Sequence, residues 1–260
     1  MIIYYHIMII KEEIPMATDL APAMKRAAVA PTILDILRAD IMRPENRYVN
    51  TPLIRFITSG KLPRESLKDY AILRWAFQAH ANPAMMLSHA SFLQGDDVHH
   101  LLENVYDEIF RVPGEGDHPG LWVQFAKRLG ATDAELQDGA RNPLPEVIGF
   151  ARTMTYYCRR SAPEALATWF ADEGQLPDVH GVTALALRKF YGLDDPTIEY
   201  FLEHVRADLE HSDSAEQLLL RYIRTDADVA AARRAASVTL WAWREMHEGI
   251  LRELRRRYKF

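Results

Sequence analysis

From about residue 30 to the end of the chain, apolar residues recur at three- and four-residue intervals, and no strand-like alternation replaces them. Such a chain buries its apolar stripes helix against helix, so the expected fold class is all-α. Turn chemistry divides the pattern. Pro31 opens a short helix through Arg43, a second runs from Pro52 to Ser59 before a stop at Gly60, and Leu62 to Phe92 reads as a long stretch kinked or divided at Pro83. Gly95, Asp96 and Asp97 stop that stretch and cap a helix from Val98 to Arg111. Asp117, His118 and Pro119 start the next helix, because proline is tolerated in a first turn. Ser161 with Glu164 and Thr225 with Asp228 have the spacing of capping boxes, and Asp195 with Pro196 precedes a helix reaching about Arg224. The closing run Arg255, Arg256, Arg257 complements the last helix dipole. With no repeat and no low-complexity linker, the expectation is one domain over residues 25–260, seven to eight helices around one core, preceded by a poorly ordered arm at 1–24.

Composition narrows the function. Of the 260 residues 36 are acidic and 31 basic, so there is no general source of phosphate neutralisation and nucleic acid is not an expected partner. The one cysteine, Cys158, allows neither an internal disulfide nor a thiolate metal site, which fits a reducing, cytoplasmic compartment. Met1 to Ile10 are apolar, but Lys11, Glu12 and Glu13 follow at once, too soon for a membrane span. A start at Met16 or Met24 is the alternative reading of that segment. Gly114, Gly116 and Gly120 have the wrong last gap for a dinucleotide loop, and no phosphate loop, nucleophile elbow or H-E-x-x-H pair occurs. Cys158 lies in an apolar helix after Tyr156 and Tyr157, the setting of an inert buried thiol.

One constellation carries chemistry. His204, Asp208 and His211 stand at i, i+4 and i+7, so at 100° per residue they leave one stripe of a helix at 0°, about 40° and about −20°, spread over roughly 10 Å. A carboxylate between two imidazoles suits a pair of ions about 3.5–4 Å apart better than a single ion. A solvated polar face is the competing reading, since Glu203, Arg206, Glu210 and Asp213 lie nearby. Matching donors come from elsewhere: Glu108 at the end of one helix, His118 at the start of the next, and Glu173 on an apolar stretch where an ionised carboxylate needs a positive partner.

Glu108, His118 ten residues on, Glu173, and the run His204, Asp208, His211 together resemble the metal-ligand pattern of the haem-oxygenase-like diiron oxidases, fold relatives of pyrroloquinoline-quinone synthase and the TenA thiaminases. The resemblance spans Thr51 to Leu251. It implies a single haem-oxygenase-like bundle holding two Fe2+ ions, with dioxygen as co-substrate, an external electron donor and a homodimeric assembly. It places Glu108, His118 and His211 about one iron and His204 with Asp208 about the other, with Glu173 bridging or adjacent and Asp172 its rival. The ten-residue gap between Glu108 and His118 is more like the N-oxygenase members than the p-aminobenzoate-synthase members. The implied reaction is N-oxygenation, desaturation or C–C fragmentation of a small, amino-acid-like substrate. A ferritin-type site would need Glu-x-x-His on two helices, and the sequence has that spacing once only, from Glu115 to His118.

A substrate carboxylate calls for a cation, and Arg55, Arg74, Arg188 and Lys189 are helix-borne candidates, with Tyr70, Trp75, Tyr106 and Trp169 as possible walls. Among these, Arg74, Arg188, Tyr106 and Trp169 are carried forward. His99, His100 and Glu103 read as an exposed or partner-facing cluster, and His80, His89, His180 and His247 as core or surface histidines. Two other function classes stay open: a metal-independent oxidase resembling the quinone synthase, with these histidines as acids and bases, and a non-catalytic helical binding protein.

Overall fold

Capping chemistry decides where the helices begin. In the computed structural model the described residues are 32–80, 92–93, 95, 97–99 and 117–260, the side chains of 80 and 206–214 excepted. They form ten α-helices and a 3-10 turn at Tyr48–Asn50, with no strand among them: α1 (Ile33–Ile41), α2 (Pro52–Thr58), α3 (Ser66–His80), α4 (His118–Arg128), α5 (Asp133–Arg141), α6 (Pro145–Cys158), α7 (Ala162–Glu173), α8 (Leu176–Tyr191), α9 (Glu199–Tyr222) and α10 (Asp226–Tyr258). The arm at 1–24, the Pro83 kink and most of the helix expected over 98–111 lie outside the described residues.

Ten described helices exceed the seven to eight expected, and the excess has a local cause. Apolar spacing runs on across short breaks, whereas the backbone stops at them. Between α4 and α5, Gly130 takes φ +94° and Thr132 opens α5 with a full capping box on Glu135. Pro145 starts α6, and Pro177 lies in the first turn of α8. The Thr225–Asp228 box forms as expected, and Thr32 with Asp35 makes another on α1. Ser161 accepts from the Glu164 N–H at 3.4 Å, while the Glu164 carboxylate is taken by the Ser161 hydroxyl at 2.8 Å and by Arg160 at 2.9 Å. The helix expected after Pro196 starts three residues later, at Glu199, because Asp194 first holds the Thr197 N–H in a turn.

Residues 31–260 make one unit by their contacts, and α10, about 50 Å long at 1.5 Å per residue, is its spine. It packs on α6 and α7, with α1, α2 and α3 also against it. Every residue of α7 from Pro163 to Glu173 is buried, since α6, α8, α9 and α10 surround it. Gly60 ends α2 in the left-handed region at φ +69°, where a Cβ would fall 2.7 Å from Cγ of Phe190. The basic run at the end of α10 is engaged within the chain: Arg256 and Arg257 pair with Glu253, and Arg257 also pairs with Asp69. No helix among the described residues is long and apolar enough to cross a membrane.

Candidate metal centre

His118 is the first residue of α4, placed by the Asp117 cap and the proline after it, and it is fully buried. His204 sits on the second turn of α9, also buried. An aromatic floor locks the two helices together: Trp122 of α4 meets Tyr200 of α9 edge-on at 4.8 Å, and Phe125 meets Phe201 edge-on at 5.1 Å. That packing brings the His118 and His204 rings to a centroid distance of 3.9 Å. The His180 ring, from α8, stands 4.8 Å from His204 and 5.4 Å from Tyr200. Three imidazoles from three helices therefore meet in the interior.

Their electrostatics are of one kind. Burial, then the neighbouring His118 and His180, hold the His204 imidazole well below its usual range against an opposing hydrogen bond to the Tyr200 carbonyl. His180 is lowered by burial, then by Arg74 and His118. Neutral imidazoles keep a lone pair for a metal. At His204 the geometry also fixes which nitrogen offers it: Nδ1 lies 2.7 Å from the Tyr200 carbonyl oxygen, to which it donates, so Nε2 is left to ligate. This is the usual outer-shell arrangement of a metal-binding histidine, and it fits iron.

Glu173 closes α7 and is buried, as expected for a carboxylate that needs a positive partner. Its rival Asp172 accepts a 2.9 Å hydrogen bond from the Tyr48 hydroxyl, which commits one of its oxygens to the 3-10 turn. Glu108 lies outside the described residues. Asp208 and His211 follow His204 on α9, one and two turns on, with their side chains outside the description. Among the described residues no group of three His, Cys, Asp or Glu is arranged to hold an ion. Of the six residues singled out from sequence, the described geometry thus joins His118 to His204 and buries Glu173.

The substrate candidates separate. Arg74 is buried beside the imidazoles, over Trp122 at 4.4 Å. Arg188 instead pairs with Asp195 at 2.6 Å on the outer surface, because Asp195 lies at the start of the turn facing the end of α8. Trp169 is buried core on α7, and Tyr106 lies outside the described residues. Arg55 is exposed and bonds Asn50, Lys189 lies over Phe190, and Tyr70 packs edge-on against Trp122. Trp75 packs at the edge of the core, and His99 is exposed. Sequence reading missed His180: an isolated histidine in an apolar stripe carries no local signal, and only the packing of α8 on α9 gives it company. His247 is buried as core, its ring tilted by 38° against that of Trp243 with centroids 3.6 Å apart.

The profile of the haem-oxygenase-type family described as iron-containing redox enzymes matches residues 68–244. The chain belongs to this family. Among curated relatives of this iron-containing redox enzyme, the 4-aminobenzoate synthase of Nitrosomonas europaea is 34% identical over 76% of this chain and 84% of its own. That of Chlamydia muridarum is 28% identical over 83% and 89%. Among solved structures, a TenA homologue from Pseudomonas syringae pv. tomato superposes with a TM-score of 0.72 at 17% identity, over 90% of this chain and 98% of its own. A CADD-like protein of unknown function from Nostoc punctiforme gives 0.56 at 15% identity, over 84% and 97%. These two establish the all-α haem-oxygenase-like fold. The named relatives lie on the side of the family opposite to the one suggested by the ten-residue gap between Glu108 and His118.

Proposed function

We propose that this iron-containing redox enzyme is a non-haem diiron oxidase that uses dioxygen to oxidise a small, amino-acid-like substrate in the biosynthesis of an arylamine of the 4-aminobenzoate type. The observation that carries the reading is the buried contact of His118 with His204, the latter held with Nε2 free to ligate. Membership of an iron-dependent family and the names of the curated relatives support it. Glu108, His118, Glu173, His204, Asp208 and His211 are the proposed ligands, and an external donor supplies electrons. Held by these residues, two irons would pass those electrons to dioxygen.

The chain's own residues do the remaining work. The Tyr200 carbonyl keeps the His204 proton on Nδ1, so ligation needs no tautomer change. Burial keeps His180 and His204 uncharged, which removes the repulsion that two imidazolium ions would offer a cation. The aromatic floor of Trp122, Tyr200 and Phe201 excludes water from the imidazole cluster. The test is anaerobic Fe(II) loading followed by oxygen. The wild-type chain takes up close to two irons, His204→Ala and Asp208→Ala lose that uptake, and the loaded wild type consumes oxygen when a panel of small amino acids is supplied. Full uptake in both variants refutes the ligand assignment, and oxygen-dependent turnover without metal favours the metal-independent oxidase instead.

A further inference from the structure

Ile148, Arg152, Thr155 and Arg159 recur at four- and three-residue steps along α6 and its C-cap, so they share one outward stripe about 16 Å long. Val147, Phe150 and Met154 are buried on the other side of the helix. With Tyr156 and Arg160, the stripe lines an open groove of about 600 Å³. Arg160 is committed within the chain, donating to Glu164 at 2.9 Å and to the Tyr156 hydroxyl at 2.6 Å. Arg152 and Arg159 are exposed, and among the described residues neither pairs with an acid. No acidic side chain among the described residues lines the groove, although the chain as a whole carries a net charge of −5. Tyr156 stands beside these cations, 55% exposed. On the inner side of α6 the packing leads to the imidazoles. Phe150 meets Phe77 of α3 at 4.7 Å, and the Arg74 guanidinium lies between Phe77 and Trp122, 5.9 and 4.4 Å from their rings. Trp122 meets Tyr200 at 4.8 Å, and the Tyr200 ring is 4.0 Å from that of His204. A run of buried contacts thus joins α6 to the proposed iron ligands.

Uncompensated like charges on one stripe repel each other, and an acidic partner both relieves that repulsion and is steered to the face. Arginine and tyrosine are the residues that most often anchor protein interfaces. A stripe three turns long exceeds what a small anion spans, and the acidic balance of the whole chain disfavours nucleic acid. Resting on the oxidase reading above, which needs electrons from outside, we propose that the α6 groove is the docking face for an acidic one-electron carrier protein of the ferredoxin or flavodoxin class. Each docked carrier gives up one electron and leaves oxidised as one Fe(III) becomes Fe(II), so two encounters restore the pair. Arg152 and Arg159 attract and hold the carrier and take no part in the chemistry.

Biolayer interferometry of the full chain, with and without Fe(II), against an acidic iron–sulfur ferredoxin and an acidic flavodoxin tests this. At least one carrier binds the wild type, and raising the salt from about 0.02 to about 0.3 M weakens that binding. Arg152→Glu combined with Arg159→Glu weakens it at least about tenfold, whereas changing both to lysine, which keeps the charges, stays within about threefold. Arg234→Glu reverses an exposed charge on α10 that has no ion pair among the described residues, and it leaves the affinity unchanged. In stopped flow the reduced carrier returns the iron of oxygen-treated, loaded protein to Fe(II), and the double reversal slows this by a similar factor. Failure of both carriers to bind, wild-type affinity in the double reversal, or an equal loss in Arg234→Glu each overturns the proposal. Equally tight binding of a glutamate-rich peptide overturns it too, by making the groove a site for acidic peptides at large. Iron uptake separates this face from the oxidase reading. A chain that takes up two irons but binds neither carrier keeps the oxidase and loses the docking face, and one that binds a carrier through the groove but takes up no iron does the reverse.

Discussion

Replacing Tyr48 by Phe removes one oxygen from the interior and little else. Tyr48 is 1% exposed, its ring lies parallel to that of Trp243 with centroids 3.6 Å apart, and its hydroxyl donates to Asp172 at 2.9 Å. Burial, and then the Asp172 charge, push the phenol well above its usual value, so at neutral pH it is a donor facing a carboxylate. Phe keeps the stack and the backbone bond from Tyr48 N–H to Gln175 at 2.9 Å. What is lost is one buried hydrogen bond to a charged group, about 1.5–3 kcal/mol. For a 260-residue chain, an unfolding entropy of about 2.1 cal/mol/K per residue turns this into a melting temperature lower by about 3–6 °C. Urea unfolding of the iron-free protein measures the free energy and scanning calorimetry the temperature. Tyr48→Ala, which also loses the stack, should cost about 3–5 kcal/mol by analogy with large-to-small aromatic replacements. A Tyr48→Phe protein within about 0.5 kcal/mol of wild type, below the cost of losing a typical hydrogen bond, would refute the reasoning.

Three other outcomes follow from local chemistry. Gly60→Ala puts a Cβ against Phe190 at a positive φ and lowers stability by about 1–3 kcal/mol in urea unfolding; an unchanged midpoint would mean the turn relaxes freely. The Arg256 hydrogen bond, opposed by burial and reinforced by Arg257, holds Glu253 at about 2 against an ordinary value of 4.5. A carboxyl group whose folded value is depressed stabilises the fold above its unfolded value and loses that contribution as the pH falls. The stability gap between wild type and Glu253→Gln should therefore shrink from pH 5 to pH 2, and a constant gap counts against it. Cys158 is buried, and burial raises its thiol, so a thiol reagent leaves the native protein untouched and titrates one group after denaturation.

Legibility followed distance along the chain. The box of Thr225 with Asp228 and the cap of Ser161 need only residues three apart, and sequence reading finds them. The breaks at Gly130 and Pro177 are as local, yet apolar spacing runs through them and hides them. His204, Asp208 and His211 share a stripe by arithmetic alone, but nothing local says that His118, 86 residues earlier, reaches the same place. That meeting depends on Trp122 and Phe125 packing on Tyr200 and Phe201, a long-range fit that periodicity does not encode; it was available only through resemblance to a known pattern. His180 and the buried Arg74 are not legible as neighbours for the same reason. Both look like ordinary residues until three helices are assembled around them.

The eleven consecutive buried residues of α7 leave that helix no surface of its own. Its amides exchange with solvent only when the surrounding helices separate, so deuterium uptake over 163–173 measures the opening of the whole unit rather than local fraying. The carboxylate at its last residue thus belongs to a helix enclosed on every side, and retuning its position by mutation has to be done from the walls that enclose it.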